Sequence, residues 1–235
     1  MFNTKLFFKA VTYSVPVLLG YIAIGTAFGL MMFEAGYPWT LSLLMSVIMY
    51  AGAGQYIAVG LFASGAGLIE AVIVQFVINA RHIAYGITMF KKFNAAGRFK
   101  PYLIFALTDE TFAILSSMDK AHYGGDEREA GLFMLYVSLL NHLYWISGTI
   151  IGAFAGAFLP FSFEGVSFAL TALFIVLMIE QILRVKKIMP FVISAVAAIL
   201  ATAILPARVS LLSALAAALA AVQIFSIPKT SRRKL

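Results

Sequence analysis

Two polar clusters, Asn79-Ala80-Arg81-His82 and Thr108-Asp109-Glu110, stand in a chain that is otherwise overwhelmingly apolar. An Arg or Asp at the centre of a membrane helix costs about 2.5 to 3.5 kcal/mol on insertion scales, so charges retained at such depth predict a partner and a role. Arg81 is expected to pair with Asp109 or Glu110, or to hold an anionic group of a ligand. An imidazole changes charge near neutral pH, and a buried carboxyl without a cation tends towards its neutral form. His82, Asp109 and Glu110 are therefore the candidates for carrying a proton.

Amides and small residues complete the candidate site. On a helix over 67–89, Gln75, Asn79, His82 and Gly86 fall at i, i+4, i+7 and i+11 and form one narrow polar stripe. Such a stripe either joins neighbouring helices by hydrogen bonds or lines a path. Asn141 and Trp145 share a face at i, i+4, and Gly148, Gly152 and Gly156 continue it in small-xxx-small steps, the pattern of closely packed membrane helices. Gly25 and Gly29 read the same way, although Gly20, Gly25 and Gly29 could also let a ligand approach the backbone. Gly20, Gln55, Asn79, Arg81, Asn141 and Trp145 are thus the candidate ligand contacts. Glu180 and Arg184, at i, i+4, are expected to form an interfacial ion pair.

The elements that position these residues follow from composition. Of 235 residues, 62% are hydrophobic and 11% charged, with a mean hydropathy of +0.96, far from the charged surface a water-soluble domain requires. Apolar segments at roughly 10–33, 41–63, 67–89, 102–118, 130–158, 166–183, 188–205 and 209–227 approach or exceed the ~20 residues that cross a bilayer as helix. The first, with no convincing small-residue cleavage site, is expected to remain as a span. The expectation is an all-α polytopic membrane protein, one integral membrane domain over 1–235, with about seven transmembrane helices and one or two broken or re-entrant segments. An uninterrupted eight-crossing bundle is the alternative.

Charge decides between these. The net charge of +7 sits in short clusters between apolar runs rather than on one soluble face, which argues against nucleic acid as a partner. Lys5/Lys9, Lys91/Lys92/Arg98/Lys100, Arg184/Lys186/Lys187 and Lys229/Arg232/Arg233/Lys234 are expected on the cytoplasmic side, and with them the C-terminus. Keeping all four there requires 102–118 to enter and leave by the same face, and a second non-crossing element between 41 and 89. The helix-breaking glycines of Ala51-Gly52-Ala53-Gly54-Gln55 mark the place. Irregular backbone at that depth is tolerated where it is buried in protein or lines a cavity, as in secondary transporters.

Enzyme signatures are missing: no His-Glu-x-x-His, phosphate loop or Gly-x-Ser-x-Gly. Cysteine is absent, and His82, His122 and His142 are too scattered for a metal site, so neither enzyme activity nor a cofactor is expected. A passive channel or a scaffold for a small membrane partner competes with a transporter at this point.

Pro16 to Gly29 (PVLLGYIAIGTAFG), Glu34-Ala35-Gly36, Ala51-Gly52-Ala53-Gly54-Gln55, Asn79-Ala80-Arg81-His82 followed by Tyr85, and Thr108-Asp109-Glu110-Thr111-Phe112 together resemble the AzlC family. The likeness continues more loosely through Asn141, Trp145 and 169–181. It implies the large subunit of a bacterial branched-chain amino acid exporter in the cytoplasmic (inner) membrane. Such a protein would move valine, leucine, isoleucine and sometimes methionine at the expense of the proton gradient, together with a small AzlD-like membrane subunit. One departure is Ser167, where the family often has Asp before the equivalent of Phe168, a change that bears on substrate or coupling if that Asp serves either.

Overall fold

The computed structural model describes residues 3–118, 126–158 and 188–205, with residues 175, 178–179, 182–183, 213–214 and 216–217. Glu180, Arg184, Ser167, His122, the basic clusters at 184–187 and 229–234, and the segments 166–183 and 209–227 lie wholly or largely outside that set. The described residues form two compact units, one within Met1–Ala63 and Gln75–Val166, the other within Ser64–Val74 and Ser167–Leu235. All secondary structure among them is helical, as the apolar patterning predicts.

Among the described residues three helices are long and apolar enough to cross a membrane: α1 (Thr4–Glu34), α4 (Leu68–Met89) and α7 (Glu127–Phe158). The larger unit is built on α1 and α7, which run parallel. Asn3 Nδ2 donates to Glu129 Oε1 at 3.1 Å, the Ser14 and Tyr144 hydroxyls meet at 3.1 Å, and a Cβ on Gly156 would strike the Phe33 ring, so contacts advance in step along both helices. Glycine makes this seam possible. A Cβ on Gly25 would stand 3.0 Å from the Trp145 carbonyl oxygen, one on Gly29 2.6 Å from Ala153 N, one on Gly148 2.7 Å from the Tyr21 carbonyl oxygen, and one on Gly152 would enter the Thr26 carbonyl. The small-xxx-small pattern is helix packing. Gly20, on the same helix, has nothing within 4 Å of its Cβ position. Helix α1 continues unbroken through Pro16.

Between these helices the chain twice turns back on itself. Helices α2 (Trp39–Ile48) and α3 (Ala53–Ala63) flank a break at 49–52, where Tyr50 (φ 40°) and Gly52 (φ 35°) adopt positive φ. The outer ends of the pair lie together, with Tyr37 and Phe62 5.6 Å apart ring to ring and Trp39 5.4 Å from Phe154 near the end of α7. The tip reaches the middle of α7, where Tyr50 stacks on His142 at 4.2 Å. Helices α5 (Lys100–Phe105) and α6 (Asp109–Ser116) flank a second break at Ala106-Leu107-Thr108. Their outer ends lie at the opposite pole, beside the N-terminus. Lys92, on the 3₁₀ segment Lys92–Phe99, donates to the carbonyls of Leu115, at 2.6 Å, and of Met118, satisfying acceptors at the end of α6. Leu6, Phe93, Leu103, Leu115, Met118 and Phe133 share one apolar core at that pole.

Both interrupted hairpins expected from charge placement are therefore present, entered from opposite poles. Arms of 6 to 11 residues rise only ~9 to 16 Å at 1.5 Å per residue, so each pair reaches about halfway. The basic residues 5, 9, 91, 92, 98 and 100 gather at one pole, as the cytoplasmic rule requires. In the smaller unit, α8 (Met189–Ile204) begins with Pro190 in its first turn, where a missing N–H costs nothing.

Candidate functional site

The two tips meet at the midpoint of the larger unit. Tyr50 lies 6.4 Å from Phe105 and 6.5 Å from Tyr21, and Tyr21 lies 5.5 Å from Trp145. Tyr21 and Trp145 fall near the centres of α1 and α7. His142, one residue after Asn141, joins the hairpins: its Nδ1 stands 3.1 Å from the Tyr102 hydroxyl on α5 and its Nε2 3.1 Å from the Ser46 carbonyl on α2.

Around this aromatic centre runs a buried polar network. The Tyr21 hydroxyl is 2.6 Å from both Thr108 Oγ1 and Glu110 Oε2. Thr108, extended at φ −102° and ψ 175°, caps α6 by accepting from Thr111 N, the usual means of satisfying a first-turn donor. Thr108 donates to Thr111 Oγ1 at 3.1 Å, and Asn141 Nδ2 donates to the same oxygen at 3.0 Å. Three buried polar atoms close by have no hydrogen-bond partner among the described residues: the Tyr50 hydroxyl, Asn141 Oδ1 and Trp145 Nε1. Their residues are 3%, 0% and 3% exposed. An orphaned buried group costs about 1 to 3 kcal/mol, so three at one place, offering both donors and acceptors, make this the candidate site.

The charged cluster lies beside this network, on α4 and α6. Arg81 Nη1 meets Asp109 Oδ2 at 2.5 Å, and the Tyr85 hydroxyl donates to Asp109 Oδ1 at 2.9 Å. Arg81 thus has the acidic partner its sequence position demanded, and Asp109 is the one that takes it. The pair is 41% and 26% exposed, so it is an accessible ion pair rather than a sealed one. Glu110 has no cation within ion-pair distance among the described residues. His82 stands edge-on to Tyr85 at 5.9 Å, and Tyr85 stacks on Phe112 at 4.3 Å.

The remaining candidates hold the first break. Gln55 Nε2 donates to Ser46 Oγ at 3.3 Å while its Oε1 accepts from Ala51 N at 3.2 Å, so both ends of the amide serve the α2–α3 hairpin. Ser46 Oγ in turn meets Thr149 Oγ1 at 2.8 Å. Gln75 Nε2 donates to the Gly54 carbonyl at 2.8 Å, and Asn79 Nδ2 to Gln75 Oε1 at 3.0 Å. A side chain on Gly54 would stand 2.8 Å from Gln75 Oε1, so that glycine admits α4 to the break. Gly20 stands open, one residue before Tyr21. The structure brings Arg81 to Asp109 and places Asn141 and Trp145 at the tips. It also adds Tyr21, Tyr50, Tyr85, Thr108, Thr111 and His142, which the sequence reading did not single out for the site. The threonines that flank the acids in Thr108-Asp109-Glu110-Thr111 were the available signal for two of them.

Comparison with known proteins gives the family. A family profile described as AzlC protein matches residues 16–159, the stretch that carries both hairpins and the whole site. The chain is 36% identical over 181 residues, 77% of its length and 70% of the relative's, to the branched-chain amino acid transport protein AzlC of Bacillus subtilis. It is 39% identical over 180 residues, 77% of either chain, to an uncharacterized membrane protein of Helicobacter pylori. To the inner membrane protein YgaZ of Escherichia coli it is 28% identical over 221 residues, 92% of this chain and 80% of that one. No solved structure matches significantly.

Proposed function

The chain belongs to the AzlC family and is a membrane transport protein, and from that premise we propose that it exports branched-chain or similarly apolar amino acids, driven by the proton gradient. It would work as a single integral membrane transport domain in the bacterial inner membrane, C-terminus cytoplasmic, with a small AzlD-like subunit beside it. Catalysis has no part in this reading.

The observation that carries it is the trio of unpartnered polar atoms where two opposed broken hairpins meet. A zwitterionic amino acid offers a carboxylate that takes donors and an ammonium that takes acceptors. Trp145 Nε1 and the Tyr50 hydroxyl supply donors, Asn141 Oδ1 and the nearby Glu110 carboxylate supply acceptors, and Phe28 and Phe105 offer apolar walls beside Trp145 and Tyr50. Broken helices meeting at mid-membrane are how secondary transporters place such sites. In this assignment Asn141 and Trp145 touch substrate, and Gly20 leaves room for it beside Tyr21. Arg81 and Asp109 tie α4 to the tip of α6, Gln55 and Asn79 hold the first break, and the proton is carried within the set His82, Asp109 and Glu110.

Purified protein with its small partner in liposomes tests this. The expected result is saturable counterflow of labelled leucine or valine, accelerated by an imposed pH gradient. Flux that neither saturates nor responds to the gradient would make the protein a channel, and no counterflow of any apolar amino acid would overturn the substrate class.

A further inference from the structure

The two neighbouring acids, Asp109 and Glu110, point to different partners although one peptide bond separates them. Asp109 has both oxygens engaged, one by the Arg81 guanidinium at 2.5 Å and one by the Tyr85 hydroxyl at 2.9 Å. Protonating it would discard an ion pair. Glu110 instead accepts from a neutral phenol, Tyr21, at 2.6 Å. That phenol is also 2.6 Å from Thr108 Oγ1, and it has one proton for two neighbours.

Two arrangements of this trio leave no donor without an acceptor. With Glu110 charged, Tyr21 donates to the carboxylate, and Thr108 Oγ1 receives the Thr111 N–H that caps α6. With Glu110 protonated, the acid donates to the Tyr21 oxygen, the Tyr21 proton turns to Thr108 Oγ1, and Thr108 keeps its donation to Thr111 Oγ1. The proton on Glu110 therefore decides whether Tyr21 of α1 donates to Glu110 in the first turn of α6 or to Thr108 at its cap. Asn141 lies one hydrogen bond further on, through Thr111, and carries one of the unpartnered atoms.

We propose that Glu110 is the proton-carrying group of the transport cycle and that Tyr21 reads its protonation state by moving its donated hydrogen bond between Glu110 and Thr108, while Asp109 stays charged against Arg81. This rests on the transport reading above and narrows its three coupling candidates to one. The titratable groups that face Glu110 are Tyr21 of α1, Tyr50 at the first break, and His82 and Tyr85 of α4, with Asp109 and its Arg81 alongside. His142 of α7 is engaged instead by Tyr102 and the Ser46 carbonyl. Of these groups Glu110 alone is a carboxyl free of a cation.

The wild-type protein in native membranes gives a test that does not depend on substrate identity. Dicyclohexylcarbodiimide attacks protonated carboxyls in apolar surroundings, and peptide mapping by mass spectrometry separates Glu110 from Asp109. Label on Glu110 that falls as pH rises, with Asp109 spared, is the expected result. Label on Asp109, label on Glu110 that ignores pH, or none on Glu110 overturns the assignment. In liposomes, Glu110→Gln is expected to reduce gradient-driven leucine accumulation at least tenfold more than it reduces counterflow and to flatten the pH profile, with Glu110→Asp recovering part of the response. A Glu110→Gln protein with the wild-type gradient response refutes the proposal. Wild type without any counterflow refutes the transport reading instead, and leaves the labelling result to decide the proton site.

Discussion

Two glycines of α1 give a controlled measurement of the seam that holds the larger unit together. Gly20 and Gly29 are both interior to a helix of 31 residues, so replacing either by alanine gains the same helix propensity, about 1 kcal/mol. Their surroundings differ. Nothing lies within 4 Å of a Cβ at Gly20, whereas at Gly29 the new methyl would run into the Thr149 carbonyl oxygen and stand 2.6 Å from Ala153 N. Both obstacles are backbone of α7, which cannot swing aside as a side chain can. The propensity gain cancels between the two variants, leaving the overpacking cost of roughly 1 to 3 kcal/mol, and backbone obstacles place it at the upper end, about 3. For a chain of this size roughly 2 to 4 °C per kcal/mol gives Gly29→Ala a melting temperature about 6 to 12 °C below that of Gly20→Ala. Intrinsic fluorescence of Trp39 and Trp145 during thermal ramps in mild detergent would read it. Equal melting temperatures, or a higher one for Gly29→Ala, would refute the close parallel seam.

Two further outcomes follow from the same geometry. Asn141→Leu removes an unpartnered buried acceptor together with one hydrogen bond to Thr111; the two effects oppose each other at about 1 kcal/mol each, so melting should move little while leucine counterflow falls at least tenfold. Because the chain has no cysteine, single replacements report sidedness directly. Tyr37→Cys and Ala63→Cys are expected to react with an impermeant maleimide from one face of the membrane, and Lys91→Cys and Ser117→Cys from the other. Opposite labelling within either pair would convert that hairpin into a crossing.

What could be read from the sequence was whatever a single segment states about itself. Charge placement required 102–118 to return to its own face, Gly52 and Gly54 located the other break, and the glycine steps from Gly148 to Gly156 announced a close neighbour. The pairing of Arg81 followed from the cost of an unpaired guanidinium at depth. Which acid it takes did not follow, because adjacent residues leave a helix about 100° apart and only the direction of α6 settles which faces α4. The phenols of Tyr21, Tyr50 and Tyr85 were hidden for a different reason. In an apolar run a tyrosine reads as an aromatic, and its hydroxyl acquires meaning from partners 87 and 89 residues away in the case of Tyr21. Gln55 was singled out as a polar residue at a break, and the break itself uses both ends of its amide.

The shortness of the hairpin arms bears on how the membrane voltage acts. Each tip ends near the middle of the larger unit, where Tyr21, Tyr50, Phe105 and His142 form an aromatic plug; with water admitted from both poles during transport, this plug would be the insulating layer. A potential drops across whatever insulates most, and moving one elementary charge through it is worth about 2.3 kcal/mol per 100 mV. A charge that hops a few ångströms past this plug would thus harvest most of the electrical driving force, without travelling the thickness of the bilayer.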